Sequence, residues 1–123
     1  MPCPFCNIQP ERIVASDELV FCILDRYPVT EGHALVMPRR HVANFFDLTA
    51  QEGLALAGMI KKAKAFLDER FKPQGYNVGV NVGRAAGQTI DHVHVHLIPR
   101  YEGDMENPRG GVRGVIPKKQ KYP

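Results

Sequence analysis

Three of the five histidines in this 123-residue chain stand at alternate positions, His92, His94 and His96, in the stretch "DHVHVHLIPR". Side chains alternate across a β-strand, so this spacing predicts three imidazoles on one face of a strand. Imidazole is a nucleophile and an acid–base group near neutral pH, and it is also the commonest metal ligand. The pattern therefore fits catalysis or metal binding better than an exposed strand edge that carries histidine by chance.

Two further stretches carry groups that suit these chemistries. The glycine-rich "NVGRAAGQT" precedes the histidines, and its Gly87, Gln88 and Thr89 offer an anion a close backbone approach, an amide and a hydroxyl. The stretch "CPFC" places Cys3 and Cys6 three residues apart, which together with distant histidines predicts a tetrahedral zinc site. The sequence thus predicts an anion-binding turn and a metal-binding N-terminal segment.

The elements that must position these residues follow an α+β pattern. Alternation and apolar runs predict five strands, over residues 12–15, 19–24, 34–38, 76–82 and 92–99. Between the third and fourth strands, Thr49 and Glu52 form a capping-box signature, and apolar residues then recur at helical spacing as far as Phe71. We therefore expect an antiparallel sheet with one long helix, residues 49–71, packed on it.

Composition excludes several classes of protein. At 123 residues the chain is long enough for one domain with its own core, and its 44% hydrophobic and 24% charged residues are typical of a globular protein. No apolar run approaches the roughly 18–20 residues of a membrane span, and "MPCPFC" lacks the pattern of a secretory leader. Three cysteines, an odd number, fit a reducing compartment and predict a cytoplasmic location. A formal charge of +3 suits a small anionic ligand and is too small to indicate a nucleic-acid partner.

The order of these motifs resembles the histidine triad (HIT) family of nucleotide hydrolases and transferases. "HVHVHLI" matches the family's His-φ-His-φ-His-φ-φ motif, and "LDRYPVTEGHALVMPRRHVANFFDL", "NVGRAAGQT" and "HVHVHLIPRYEGD" stand in the family's order. The resemblance implies a HIT-like fold over residues 1–104 and a homodimer with a sheet continuous across the interface. Residues 105–123, rich in basic side chains, are expected to form an irregular tail on or near that domain.

The resemblance also implies roles for individual residues. His94 falls at the family's nucleophile, which attacks the α-phosphorus of a nucleotide and forms a nucleotidyl-histidine intermediate that water hydrolyses. His96 falls at the position that assists the leaving group. The residues that match the family's phosphate-contacting positions are Asn81, Gly87, Gln88 and Thr89. Those that match its nucleoside-binding positions are Phe5, Ile8, Asp25 and Arg26.

Several of these assignments have structural alternatives. Asp25 and Asn81 are also ordinary turn residues, and Phe5 and Ile8 also suit an apolar core. His33 matches a histidine that lies near the triad in some family members and is otherwise a candidate core residue. A subset of the family with two N-terminal cysteines implies a closed, structural zinc site on Cys3, Cys6, His41 and His92.

The resemblance leaves more than one function open. The favoured reaction releases a nucleoside monophosphate from a dinucleoside polyphosphate of the diadenosine tetraphosphate class, with a purine nucleotide as substrate. A purine nucleoside phosphoramidase would use the same residues, and Asp25 and Asn81 favour it. The first reaction is favoured by Gln88 and by the continuation Arg100 and Tyr101. A nucleotide-binding regulatory module without turnover and a zinc-stabilised interaction protein are the remaining classes, and the latter has no use for His94.

Overall fold

A five-stranded antiparallel sheet with one helix against it makes up the fold in the computed structural model, which describes residues 3–123. Strands β1 (Ile13–Ser16), β2 (Val20–Leu24) and β3 (Ala34–Pro38) precede helix α1 (Ala50–Phe71), and β4 (Gly75–Val80) and β5 (Val95–Arg100) follow it. The strand order is β1-β2-β3-β5-β4, so β5 lies inside the sheet and β4 lies at an edge. The predicted α+β architecture is confirmed.

Helix α1 begins with the predicted capping box. The Glu52 amide donates to the Thr49 hydroxyl at 3.0 Å, and the Thr49 amide donates to the Glu52 carboxylate at 2.9 Å. The same carboxylate, 4% exposed, accepts two bonds of 2.8 and 3.0 Å from the Arg40 guanidinium. Because Arg40 lies two residues after β3, this ion pair ties the end of β3 to the first turn of the helix.

The sheet buries an apolar layer on each face. The layer beneath the helix contains Val20, Cys22, Ala34, Val36, Leu56, Met59, Ala63, Leu67, Val95 and Leu97. The layer on the opposite face contains Phe5, Phe21, Ile23, Leu35 and Met37. Strand alternation places His96, between Val95 and Leu97, on this second face, which the N-terminal segment covers through Phe5.

The sequence prediction was wrong about where the histidine strand begins. Strand β5 starts at Val95, so His92 and His94 lie on the approach to it rather than within it. Its ladder with β3 ends at the pair Val36 and Val95. Farther along β3, Pro38 has no amide hydrogen for a ladder, and its carbonyl lies 2.7 Å from His92 Nε2. The backbone therefore joins the sheet only after His94.

The remaining boundaries differ less from the prediction. Strand β1 begins one residue later than expected, and β4 ends at Val80, just before Asn81. After β5 the chain forms short 3₁₀ turns at Gly111–Val115 and Pro117–Lys119, the first of which lies beside β4. Within residues 3–123 no helix combines the length and the apolarity that crossing a bilayer requires.

The buried carboxylate of Glu52 predicts a pH dependence of stability. Arg40 lowers the pKa of Glu52 to about 2. The ionised Glu52 therefore stabilises the fold in full at pH values above the ordinary glutamate pKa near 4.5, and this stabilisation is lost as pH falls toward 2. Because Arg40 is 52% exposed, we expect Glu52→Gln to lower the free energy of unfolding at pH 7 by only about 1–2 kcal/mol. Urea unfolding should show that this difference shrinks between pH 5 and pH 2.5. Glu69→Gln, an exposed carboxylate on the same helix, is the control, and equal losses in both variants would contradict the assignment.

Candidate functional site

Four thiol and imidazole side chains meet between the N-terminal segment and the two ends of the central strands. The Cys3 Sγ lies 3.4 Å from His92 Nδ1, and the Cys6 Sγ lies 3.3 Å from His41 Nδ1 and 3.6 Å from His92 Nδ1. One potential ligand atom from each of the four lies within 4.8 Å of all the others. Tetrahedral zinc with ordinary bond lengths separates sulfur and nitrogen ligands by about 3.6 Å. The four residues predicted as zinc ligands can therefore hold a metal ion.

The hydrogen bonding of His92 suits it to bind a metal. Its Nε2 lies 2.7 Å from the Pro38 carbonyl, which can only accept, so Nε2 carries the proton and Nδ1 presents a lone pair to the two thiols. The side chain is fully buried, and this burial lowers the pKa of His92 and favours the neutral ring that coordination requires.

The neutral His94 ring carries its proton on the other nitrogen, Nδ1, rather than on Nε2 as in His92. Its Nδ1 lies 2.8 Å from the backbone carbonyl of His92, so the proton of the neutral ring is on Nδ1 and the lone pair is on Nε2. The Phe5 ring packs edge-on against it at a centroid distance of 5.1 Å. A backbone hydrogen bond and an aromatic contact thus hold a nucleophilic nitrogen in one tautomer and one orientation.

A second chain of hydrogen bonds fixes the proton of His96. The Val29 amide donates to His33 Nδ1 at 3.1 Å, so the neutral His33 carries its proton on Nε2. That nitrogen lies 2.9 Å from His96 Nδ1 and 3.5 Å from the Asp25 carboxylate. His96 Nδ1 accepts, which leaves the His96 proton on Nε2.

The burial of these two rings keeps them neutral. Desolvation lowers the pKa of both His33 and His96 below the ordinary value near 6.5, and the neighbouring His94 adds to the effect at His96. His96 is therefore uncharged at neutral pH, and its Nε2–H can donate a hydrogen bond. The family resemblance offered His33 as a residue near the triad, with a core residue as the alternative, and the structure places it against His96. This contact spans 63 positions, which no local pattern indicates.

A cavity of about 460 Å³ lies on the sheet face opposite the helix, and two of its lining residues, Phe5 and Asp25, are neighbours of His94 and His33. Its lining includes all four predicted nucleoside-binding residues, Phe5, Ile8, Asp25 and Arg26. Leu35, which pairs with His96 across the β3–β5 ladder, also lines it. A cavity of this volume with apolar walls and a few polar groups is typical of small-ligand sites.

The glycine-rich turn differs from the simple expectation of free phosphate-binding donors. The Gly87 amide donates to the Arg84 carbonyl at 2.9 Å within a 3₁₀ turn. The buried Gln88 side chain accepts from the Gly83 amide and donates to the carbonyls of Ala43 and Ile90. These groups brace the turn, so either would have to exchange a bond to reach a phosphate. Two other predicted phosphate contacts lie nearby: Thr89 is exposed, and Asn81 is half-buried after β4.

Comparison with known proteins gives matches over most of the chain. The model of the HIT domain matches residues 7–103. An uncharacterized HIT-like protein from Methanocaldococcus jannaschii is 41% identical over 110 residues, which are 85% of this chain and 83% of that protein. Bis(5'-adenosyl)-triphosphatase of Dictyostelium discoideum is 37% identical over 81% of this chain and 67% of its own length. AP-4-A phosphorylase of Mycobacterium tuberculosis is 40% identical over 75% of this chain but only 48% of its own length.

Solved structures agree with the fold. A HIT family protein from Bacillus anthracis superposes with a TM-score of 0.77 at 38% identity, over 83% of this chain and 75% of that one. A Zn-bound histidine triad family protein from Mycobacterium smegmatis gives a TM-score of 0.77 at 33% identity, over 85% of this chain and 79% of its own.

The thiol and imidazole cluster predicts a measurable metal content. Purified protein should carry about one zinc ion per chain, and Cys6→Ser should lose most of it because three ligands hold the ion less tightly. Elemental analysis measures the content, and a thermal midpoint lower by at least about 5 °C should accompany the loss. Cys22→Ala, in the layer beneath the helix, should keep its zinc. Zinc retained in full by C6S would contradict the ligand set.

Proposed function

The chain belongs to the HIT family, and from this membership we propose that it hydrolyses a nucleotide at the α-phosphate to release a nucleoside monophosphate. The observation that carries the proposal is the fixed tautomer of His94, whose Nε2 lone pair is available while its Nδ1 is bound to a carbonyl. The name of the Dictyostelium discoideum relative, a bis(5'-adenosyl)-triphosphatase, supports the same class of reaction.

The reaction proceeds in two displacements at phosphorus. His94 Nε2 attacks the α-phosphorus, a nitrogen–phosphorus bond forms, and the bond to the leaving group breaks. The ring becomes cationic, and the His92 carbonyl, which accepts the hydrogen bond from Nδ1 at 2.8 Å, stabilises that charge. The His96 Nε2–H donates a hydrogen bond to the leaving phosphate oxygen, which departs as an anion. Water then attacks phosphorus, the nitrogen–phosphorus bond breaks with its electron pair returning to His94 Nε2, the proton of the water passes to solvent, and the nucleoside monophosphate leaves.

The cavity provides the place for the nucleoside. Phe5 and Ile8 supply apolar walls that suit a purine, and Asp25 and Arg26 supply charged groups at the edge. The glycine-rich turn with Asn81, Gly87, Gln88 and Thr89 is the proposed phosphate-binding segment. Gln88 would act there by exchanging one of its internal bonds, and Thr89 is already exposed.

We propose dinucleoside polyphosphates of the diadenosine tetraphosphate class as substrates, a choice that the names of the two adenosine-polyphosphate relatives support. A purine nucleoside phosphoramidate is the second candidate, and the similarity of Asp25 and Asn81 to the phosphoramidase branch of the family favours it. An amine must gain a proton as it leaves phosphorus, so this substrate needs the cationic form of His96, which burial makes less populated at neutral pH.

The metal in this proposal is structural. Cys3, Cys6, His41 and His92 would hold zinc with four protein ligands and no open position, and such a site supplies rigidity rather than a reactive water. Cys3, Cys6 and Cys22 are not joined in disulfides, which suits the reducing cytoplasm that we propose as the location.

The proposed assembly is a homodimer joined through the edge strand β4. Val78 on β4 is 46% exposed and lines an apolar groove between that strand and helix α1. An unpaired strand edge beside an apolar groove suits a second copy of the same chain, because it would continue the sheet.

A substrate panel with His94→Ala tests the proposed reaction. Diadenosine tetraphosphate, diadenosine triphosphate and adenosine phosphoramidate are incubated with wild type and variant, and AMP is measured by chromatography. H94A should lose at least about 10³-fold in turnover while retaining its thermal midpoint and AMP binding. If ADP appears only when inorganic phosphate is added, the reaction is phosphorolysis rather than the proposed hydrolysis. Binding of AMP without turnover of any panel member would favour a nucleotide-binding module.

The hydrogen bond from His33 to His96 predicts a positioning role. His33→Leu removes the donor to His96 Nδ1 and frees the ring to adopt either tautomer, so kcat should fall by about 10²-fold with little change in KM. His33→Gln keeps an amide donor and should recover part of the loss. The effect should be larger for the phosphoramidate than for the polyphosphates. Equal losses in H33L and H33Q would contradict this role.

A further inference from the structure

We propose that the metal-binding turn Cys3–Cys6 doubles as a wall of the nucleoside cavity, so that metal loading controls nucleoside affinity and Phe5 positions His94. The identity of the nucleoside ligand rests on the proposed function above, whereas the coupling itself rests on the contacts of the turn. It adds to the structural metal site a direct influence on the ligand site.

The turn is anchored to the sheet through its two thiols and the Phe5 ring. Residues 3–9 belong to no helix or strand, and the Cys6 amide donates to the Cys3 carbonyl at 3.2 Å. The thiols face His92 and His41, which lie at the ends of the central strands. A metal ion bound to these four residues would therefore tie the turn to the sheet.

The same segment forms much of the cavity. Five of the eleven residues that line it come from positions 4–9, namely Pro4, Phe5, Asn7, Ile8 and Gln9. The other lining residues come from the turn before β1, the turn after β2, strand β3 and the segment before β5. Release of the turn would therefore remove one side of the cavity and leave the sheet side in place.

Phe5 connects the metal cluster with the nucleophile. Its ring is 8% exposed and meets the His92 ring edge-on at 6.0 Å and the His94 ring at 5.1 Å. It also packs in the apolar layer with Phe21 and Leu35. Because Phe5 lies between the two cysteine ligands in the chain, movement of the thiols moves this ring away from both histidines.

Two consequences follow from losing the metal. The cavity loses the apolar wall that faces the base, so nucleoside affinity falls. The His94 ring also loses its packing partner, so its orientation becomes less restricted even though its acceptor, the His92 carbonyl, is retained. Removing only the Phe5 ring should produce the same two effects while the metal stays bound.

The first test compares AMP binding, measured by calorimetry, in four samples: zinc-loaded and chelated wild type, and zinc-loaded and chelated Phe5→Ala. Chelation should weaken AMP binding to wild type by at least about tenfold, and F5A should weaken it similarly while retaining zinc. Chelating F5A should add less than about threefold, because both changes remove the same wall. Ile13→Ala, which trims the same apolar layer outside the cavity lining, should bind AMP as wild type does. A chelated wild type that binds AMP with unchanged affinity would overturn the coupling and leave the proposed function standing.

The second test uses no nucleotide. Long-range proton–nitrogen NMR of the histidine rings reports the tautomer and environment of His94 directly. Zinc-loaded wild type should give one His94 signal with its proton on Nδ1, and both chelation and F5A should shift or broaden it. Unchanged His94 signals in zinc-loaded F5A would overturn the positioning role of Phe5. If loaded wild type binds no AMP, the proposed function fails, and this NMR comparison still decides the coupling.

Discussion

Two backbone carbonyls determine how the triad histidines divide their chemistry, and the rest of the site depends on that division. The Pro38 carbonyl holds the proton of His92 on Nε2, and the His92 carbonyl holds the proton of His94 on Nδ1. Successive triad members therefore present opposite nitrogens, Nδ1 toward the thiols and Nε2 away from the backbone. Since a carbonyl has no proton to donate, each neutral ring has a single favourable tautomer.

This division requires the early end of the β3–β5 ladder. A regular strand from His92 onward would place all three imidazoles on one face, where they would compete for the same surroundings. On the N-terminal side of Val95 there is no ladder with β3, and the Val93 amide donates instead to the Val42 carbonyl at 2.8 Å. The His92 ring can then reach Pro38 and the cysteines, while His94 and His96 remain neighbours with ring centroids 5.2 Å apart. Pro38, which lacks an amide hydrogen, makes the end of the ladder inexpensive at that point.

The sequence allows prediction of what depends on local periodicity or residue type. The capping box at Thr49 and Glu52 and the five strands followed from such signals, whereas the grouping of Cys3 and Cys6 with His41 and His92 followed from the family resemblance. Long-range contacts between polar side chains could not be predicted in this way, because no local signal indicates that His33 contacts His96 or that Arg40 forms an ion pair with Glu52. The glycine-rich turn was a third case. Its glycines indicated a tight turn correctly, but composition alone does not say whether its amides point to a ligand or bond within the turn.

The two rings assigned to catalysis are held from opposite sides by independent neighbours. His94 depends on the main chain of His92, whose own ring belongs to the metal cluster, so restraint of that ring by a metal ion also restrains the carbonyl that His94 needs. His96 depends on His33, which is oriented in turn by the Val29 amide and faces Asp25. Nucleophilic attack and stabilisation of the leaving group are separate requirements of one displacement. Their separate supports mean that a change on the metal side should disturb attack first, whereas a change at His33 should disturb the stabilisation of the leaving group first. The chain meets both requirements with the same residue type because the neighbours of each ring, not the ring itself, decide where its proton resides.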